Sequence, residues 1–406
     1  MSFADVVSAS GTTCPACEQG EGQVFYRVDA IPTSNAKLSR TREQAISENN
    51  RAGQMRLAFC SVCGFMWNAA FDPALVDYGE DYESTQSYSA TFRAFHEQLA
   101  RALVERYDLA GKEVFEVGCG PEAEFVHLLA GLGARRVVGI DPALRVTGPV
   151  PGAEFIQDYY SEKYRDRRPD FVLSKMTMEH IPDPAHFLAM LRATIGDRTD
   201  AICFAMMPEA RRILEHRAFW DIYYEHCAYY TLGSLARAFR HAGFALFDLR
   251  TDFGDQYCLI AGRPAAGDSP PLVGEETVDE LKTVVESFAE GVDRVRRAWL
   301  TWLRAERAAG RRTVLWGAGS KAVAFATTLG LGEELDFAVD ISPPRHGTFI
   351  TGTGHAISSP TRLQADRPDN VVIMSPIYRD EIAADLAAMG LAPAIRSIED
   401  PPLAAL

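Results

Sequence analysis

Between Lys112 and Arg263 the chain alternates short apolar, β-branched runs with stretches of helical period. Val114 to Val117, Val137 to Ile140, Phe155 to Gln157, Phe171 to Ser174 and Ile202 to Met206 are strand candidates, each followed by turn residues. Helical patterns lie between several of them, including Glu124 to Leu132 and Ala185 to Ile195. Phe244 to Arg250 and Gln256 to Ala261 have no helix between them, so a hairpin is expected there. Five alternating strands closed by a hairpin predict an α/β fold, a doubly wound sheet with an antiparallel edge.

The helix due after the fifth strand starts only at Leu232, leaving Pro208 to Tyr230 as an insertion. Insertions of this kind lie beyond the carboxyl ends of the strands, where open α/β sheets bind ligands. Pro264 to Pro271 has the composition of a linker. Beyond it, Val278, Leu281, Val285, Phe288, Val292, Val295, Trp299 and Trp302 step in threes and fours, which predicts one long helix. Its stripe is expected to pack within the chain and not in a dimeric coiled coil, which favours a monomer. A second α/β unit follows, with strands at Thr313 to Trp316, before Asp340, at Val371 to Met374 and at Ala394 to Ile398, and a helix from about Ser320.

Composition does not disturb this picture. The 406 residues are 47% apolar and 24% charged, ordinary for folded domains, and the length calls for two or three of them. A formal charge of −14 argues against a nucleic-acid partner, because phosphate backbones are bound by Lys and Arg. The first ten residues lack the basic and apolar segments of a secretory signal. Apolar runs such as Ala201 to Met207 are far short of the roughly 20 residues that span a bilayer. A cytoplasmic protein without a membrane partner is expected, and the mostly unpaired use of Cys119, Cys203, Cys227 and Cys258 fits a reducing compartment.

The other four cysteines form Cys14-Pro-Ala-Cys17 and Cys60-Ser-Val-Cys63. Two thiolate pairs at chelate spacing suit a tetrahedral zinc ion, with Gly64 allowing a tight turn after the second pair. A thioredoxin-type redox role needs one such pair, not two. Four protein ligands leave no open position, so this metal is expected to be structural.

After the first strand comes Glu116-Val-Gly-Cys-Gly-Pro-Glu122, with Asp141 ending the second strand. Gly118 and Gly120 let backbone approach a ligand, and an acid about 20 residues on can bind two ribose hydroxyls. Ala123 stands where a dinucleotide fingerprint has its third glycine, which favours a nucleoside cofactor without a pyrophosphate. Glu116, Gly118, Gly120, Asp141, Pro142, Asp158 and Lys175 are the candidate cofactor contacts. In the insertion, Tyr223, Glu225 and His226 offer a phenol, a carboxylate and an imidazole for proton abstraction, and Met178-Glu-His180 reaches the same sheet edge. His180 is placed to face either cofactor or substrate. In the second unit Gly317-Ala-Gly-Ser-Lys321 opens a helix whose amides could receive a phosphate, with Asp340 in the ribose position. Pattern alone leaves open whether this is a second cofactor site or a vestigial nucleotide fold.

These motifs, with Glu179-His-Ile-Pro-Asp-Pro184, Ile222-Tyr-Tyr-Glu-His226 and Trp316-Gly-Ala-Gly-Ser-Lys321, resemble the three-domain sugar C-methyltransferases that act on nucleotide-linked keto-deoxysugars. The resemblance covers nearly the whole chain. It implies a zinc-binding lobe at residues 1–78, a class I S-adenosylmethionine (SAM) methyltransferase domain at 79–268, and the long helix plus a Rossmann-like substrate-binding domain at 269–406. It implies SAM and structural zinc as cofactors, and a small-molecule substrate held between the middle and C-terminal domains. It carries catalytic roles onto Tyr223, Glu225 and His226, with His180 nearby and Tyr82 in the segment Tyr78-Gly-Glu-Asp-Tyr82. Substrate contacts are expected from Tyr224, Tyr230, Gly317, Gly319, Ser320, Lys321 and Asp340.

The sequence departs from the family pattern at four places. Tyr224 replaces a His, Gly254-Asp-Gln-Tyr-Cys258 replaces a His-Gly-Gly-Ser run, and the serine-rich segment reads Glu83-Ser-Thr-Gln-Ser-Tyr88. Ser375-Pro-Ile-Tyr-Arg-Asp-Glu381 replaces a Pro-Trp-Asn pattern. Two other readings therefore stand beside a keto-deoxysugar C-methyltransferase: methylation of a different acceptor at carbon, nitrogen or oxygen, and a non-catalytic zinc- and nucleotide-binding protein.

Overall fold

The computed structural model describes residues 12–47, 53–76, 82–83, 85–146, 148–265 and 269–403. Tyr78 to Asp81, the expected leaderless N-terminus and part of the expected linker lie outside them. The described residues build three sheets.

The first sheet is antiparallel and contains β1 (Gly22–Ile31), β2 (Gly53–Cys60) and β3 (Met66–Asn68). Its hairpin ends carry the four cysteines, and Gly64 takes a positive φ of 73° to turn the chain after Cys63. Gly20 is equally required, since a Cβ there would stand 2.4 Å from the Cys60 sulfur.

The helix α1 (Ala90–Tyr107), capped by Ser89, leads into the second sheet. Its parallel part alternates β4 (Glu113–Val117), α2 (Glu124–Gly131), β5 (Arg136–Ile140), β6 (Ala153–Ile156), β7 (Phe171–Lys175), α3 (Pro184–Ile195) and β8 (Ile202–Pro208). The insertion then adds α4 (Ala210–His216) and the two-residue β9 (Ala228–Tyr229), before α5 (Leu232–His241) and the hairpin β10 (Phe244–Asp252) and β11 (Tyr257–Pro264). Strand order is β10-β11-β8-β7-β4-β5-β6, and β11 runs antiparallel to β8, as the sequence pattern predicts. The order reverses beside β4, so the ligand crevice belongs at the carboxyl end of β4.

β9 does not join this sheet. It pairs with β3 of the cysteine lobe, Met66 opposite Tyr229 and Trp67 opposite Ala228. The insertion thus stitches two lobes together, which its sequence does not announce.

The expected long helix is two, α6 (Val278–Glu286) and α7 (Phe288–Ala308). At the break, the Ser287 hydroxyl donates to the Val284 carbonyl and accepts from Arg217, local bonds that compete with the helical ladder. The apolar stripe does pack within the chain. Phe288 meets Phe25 and Tyr26 of β1 edge-on, and Trp299 lies at right angles to Phe325, 5.2 Å between ring centres. Phe325 belongs to α8 (Ser320–Leu329) of the third sheet, which is all parallel in the order β14-β13-β12-β15-β16. Its strands are β12 (Thr313–Trp316), β13 (Ala338–Val339), β14 (Ile357–Ser358), β15 (Asn370–Ile373) and β16 (Ala394–Ser397), with α9 (Arg379–Ala388) before the last. No described helix is long and apolar enough to cross a membrane.

Trp299 is fully buried against Phe325 of α8. Truncation to Ala should cost about 3–5 kcal/mol, read as a lowered midpoint of chemical denaturation; an unchanged midpoint would show that the helix pair is not a structural strut.

Candidate active site

Two similar clamps face one large cavity. In the second sheet the Gly118 amide donates to Ile140, the Gly120 amide to Asp141 Oδ2 at 2.9 Å, and the Ala143 amide to Asp141 Oδ1 at 2.8 Å. In the third sheet the Gly317 amide donates to Val339, the Ala318 amide to Asp340 Oδ2 at 2.6 Å, and the Ser342 amide to Asp340 Oδ1 at 2.8 Å. Each acid therefore fixes its own glycine turn, with lone pairs left over for a ligand.

The cavity, about 1210 Å³, is walled by all three lobes. That exceeds the usual 300–1,000 Å³ of a single-ligand pocket and suits a cofactor together with an acceptor. On its wall are Tyr82, Gly118, Gly120, Asp141, Pro142, Asp158, Lys175, His180, Tyr223, Glu225, His226, Gly317, Gly319, Ser320, Lys321 and Asp340.

The glycine turn fits a nucleoside cofactor. Gly118 and Gly120 both have φ of +76°; a Cβ on Gly118 would stand 2.1 Å from the Thr177 hydroxyl, whereas nothing lies within 4 Å of one on Gly120. Gly120 thus leaves a backbone cradle open to a ligand. Glu116 does not reach the wall, which corrects its place among the direct contacts. It lies fully buried under the turn, neither carboxylate oxygen has a hydrogen-bond partner among the described residues, and burial pushes its pKa up to about 7. Lys175, over the Phe125 ring, opposes that shift. Asp158 stands on the rim, bonded to Lys163 and Tyr164.

At the middle of the cavity Tyr223 Oη and His226 Nε2 are 2.9 Å apart, and the His180 and His226 rings meet edge-on at 4.9 Å. Burial holds His226 well below the usual imidazole range and His180 down to about 4, so both rings are neutral. Burial also keeps the Tyr223 phenol protonated, its pKa well above 10. His180 Nδ1 lies 2.9 Å from the Glu225 carbonyl. A carbonyl only accepts, so the proton sits on Nδ1. The Glu225 carboxylate turns the other way and accepts from the Asn35 and Ala36 amides of the cysteine lobe.

Two further expectations are corrected. Tyr224 is buried in the cysteine lobe: its ring packs on Phe71 and its hydroxyl accepts from the Asp72 amide at 2.8 Å. Tyr230 is buried against Phe65. Neither lines the cavity, because packing on Phe71 and on Phe65 holds each ring on the side of the cysteine lobe. Lys321 is on the wall, but its ammonium pairs with Asp221 at 3.0 Å, and Asp221 also binds Arg212 at 2.7 Å. Its charge is therefore largely answered within the protein.

Glu179, Asp221, Arg345 and Gln86 are wall residues that sequence reasoning missed. Glu179 had a signal, its place beside His180. The family departures also converge here: Gln86 accepts from the Tyr378 hydroxyl at 3.0 Å and approaches Tyr257, while Gln256 approaches Ser375.

A glycine turn clamped by an acid at the switch point of a seven-stranded sheet is the arrangement that suits the cofactor of a SAM-dependent methyltransferase. Sequence comparison agrees. Residues 87–249 match the methyltransferase domain family and residues 271–392 match the C-methyltransferase C-terminal domain. The chain thus carries a methyltransferase domain followed by a C-methyltransferase C-terminal domain. It is similar to the C-methyltransferase NovU of Streptomyces niveus, with 28% identity over 304 residues, 70% of this chain and 71% of that one. Among solved structures, a Burkholderia thailandensis 1,6-didemethyltoxoflavin-N1-methyltransferase is 17% identical over 50% of this chain and 96% of that one, at a TM-score of 0.33. A magnesium protoporphyrin IX methyltransferase from Synechocystis PCC 6803 is 16% identical over 46% of this chain and 91% of that one, at 0.34. Scores this low add no weight, and the assignment rests on the sequence matches.

Gly118→Ala should weaken SAM binding by at least tenfold in calorimetry, because the new Cβ collides with Thr177. Unchanged affinity would show that the turn does not shape the cofactor site.

Proposed function

We propose that this methyltransferase transfers the methyl group of SAM to the carbon next to the ketone of a nucleotide-linked keto-deoxysugar. The observation that carries the reading is the Tyr223–His226 pair standing in one cavity between two glycine-and-acid clamps. One clamp suits the cofactor's ribose and the other the acceptor's nucleotide.

SAM supplies an electrophilic methyl group. A carbon beside a ketone must lose a proton before it can attack that group, and a neutral buried imidazole is suited to take it. In the tautomer that serves, His226 Nε2–H donates to the Tyr223 oxygen, leaving Nδ1 to accept the carbon proton. The Tyr223 O–H is then directed at the developing enolate oxygen, where a fixed donor in a dry site is most effective. Glu225, bonded to Asn35 and Ala36, holds the segment in place, and its carbonyl orients His180. Tyr82 is assigned to the acceptor side of the wall. At the second clamp, the amides opening α8 and the buried guanidinium of Arg345, bonded to the Ala318 carbonyl, face the expected diphosphate. This enzyme is expected to act in the cytoplasm on a small molecule.

The four cysteines are assigned to a structural zinc ion. Cys14 and Cys63 sulfurs are 3.6 Å apart and Cys17 and Cys60 sulfurs 3.7 Å, close to the roughly 3.8 Å that Zn–S bonds of about 2.3 Å impose in a tetrahedron. All four are buried, which suits a closed site.

His226→Ala should abolish methylation of a thymidine-diphosphate keto-deoxysugar while SAM binding persists in calorimetry; undiminished turnover would remove His226 from the base role. Cys60→Ser should lower the zinc content below one ion per chain and lower the melting temperature, and a fully zinc-loaded variant with wild-type melting would contradict the four-cysteine assignment.

A further inference from the structure

Glu179 has no task in the enolate mechanism, yet its carboxyl group is buried on the cavity wall. Neither of its oxygens has a hydrogen-bond partner among the described residues. A buried carboxyl left so is costly unless something else completes it. One ligand atom each from Glu179, His180 and His226 all lie within 4.8 Å of one another.

The two imidazoles are arranged as metal ligands usually are. A ligating histidine commonly donates its second ring N–H to an oxygen that fixes its tautomer. His180 does this through Nδ1 to the Glu225 carbonyl at 2.9 Å, so its Nε2 carries a lone pair. His226 takes the same arrangement in the tautomer whose Nε2–H donates to the Tyr223 oxygen, 2.9 Å away, which puts its lone pair on Nδ1.

We propose that Glu179, His180 and His226 form a second metal site, which takes a divalent transition-metal cation and silences methyl transfer while it is filled. Two imidazoles and a carboxylate are borderline donors, suited to Zn²⁺, Co²⁺ or Fe²⁺ and distinct from the four thiolates of the N-terminal lobe. Bonds of 2.0–2.1 Å need the three donor atoms roughly 3.3 Å apart, which small side-chain rotations supply. The fourth position opens to the cavity. Binding places the cation on the His226 lone pair that the carbon proton requires, so the filled site and the base role exclude each other. The silencing clause rests on the enolate reading; the binding clause does not.

The test is a Co²⁺ titration of the full chain with zinc already in the four-cysteine site, followed by visible absorption. One further equivalent should bind and give the weak bands of nitrogen- and oxygen-ligated cobalt. Glu179→Gln and His180→Gln should each lower the Co²⁺ affinity by about 100-fold, with calorimetric SAM binding as the control for folding. Methyl transfer by the wild type should fall in step with site filling. Absence of a second equivalent, or an affinity that neither variant changes, would overturn the proposal. Cobalt bands in a protein that methylates no keto-sugar would support the site and count against the enolate reading instead.

Discussion

The pairing of β9 with β3 is the constraint on which the proposed active site depends. Tyr223 to His226 belong to a loop beyond the sheet, and such a loop places side chains accurately only if its backbone groups are satisfied elsewhere. Here the Asn68 amide donates to the Cys227 carbonyl, the Glu225 carboxylate takes two amides of the cysteine lobe, and Tyr224 binds the Asp72 backbone. The four-cysteine lobe thus acts as the second wall of a mould whose first wall is the edge of the methyltransferase sheet. This gives the proposed zinc site, some distance from the proposed chemistry, a direct mechanical bearing on it.

The other side of the cavity closes by a different logic. Glu381, at the start of α9, accepts from the Ser89 and Thr91 hydroxyls and the Thr91 amide, so the third lobe caps the helix α1 of the second. A carboxylate at a helix N-terminus satisfies amides that the helix itself cannot. Arg345 reaches the Glu83 carbonyl, and Tyr378 reaches Gln86. The segments that depart from the family pattern, Glu83 to Tyr88, Gly254 to Cys258 and Ser375 to Glu381, are therefore neighbours in space. The departures lie together on one wall and touch one another there.

The strands and helices were legible because their apolar spacing matches a single period, and the cysteine pairs because chelation fixes their spacing. The two acids Asp141 and Asp340 were legible as ligand positions but not as clamps on their own turns. What escaped needs three dimensions. Tyr224 and Tyr230 read as aromatic neighbours of a base, yet the backbone turns them into buried cores. Lys321 read as a phosphate ligand, and its partner Asp221 lies in a different domain. The break at Ser287 escaped because the apolar stripe continues through it, and helical period carries no trace of a hydroxyl bonded to Val284 and Arg217.

The central claim is that this cavity deprotonates the carbon beside a ketone. It is tested most directly by following hydrogen exchange at that carbon by NMR, with a nucleotide-linked keto-deoxysugar in D₂O and S-adenosylhomocysteine in place of SAM. The wild-type protein should exchange that hydrogen for deuterium without methyl transfer. A hydrogen retained at that carbon, under conditions where SAM gives methylated product, would contradict it.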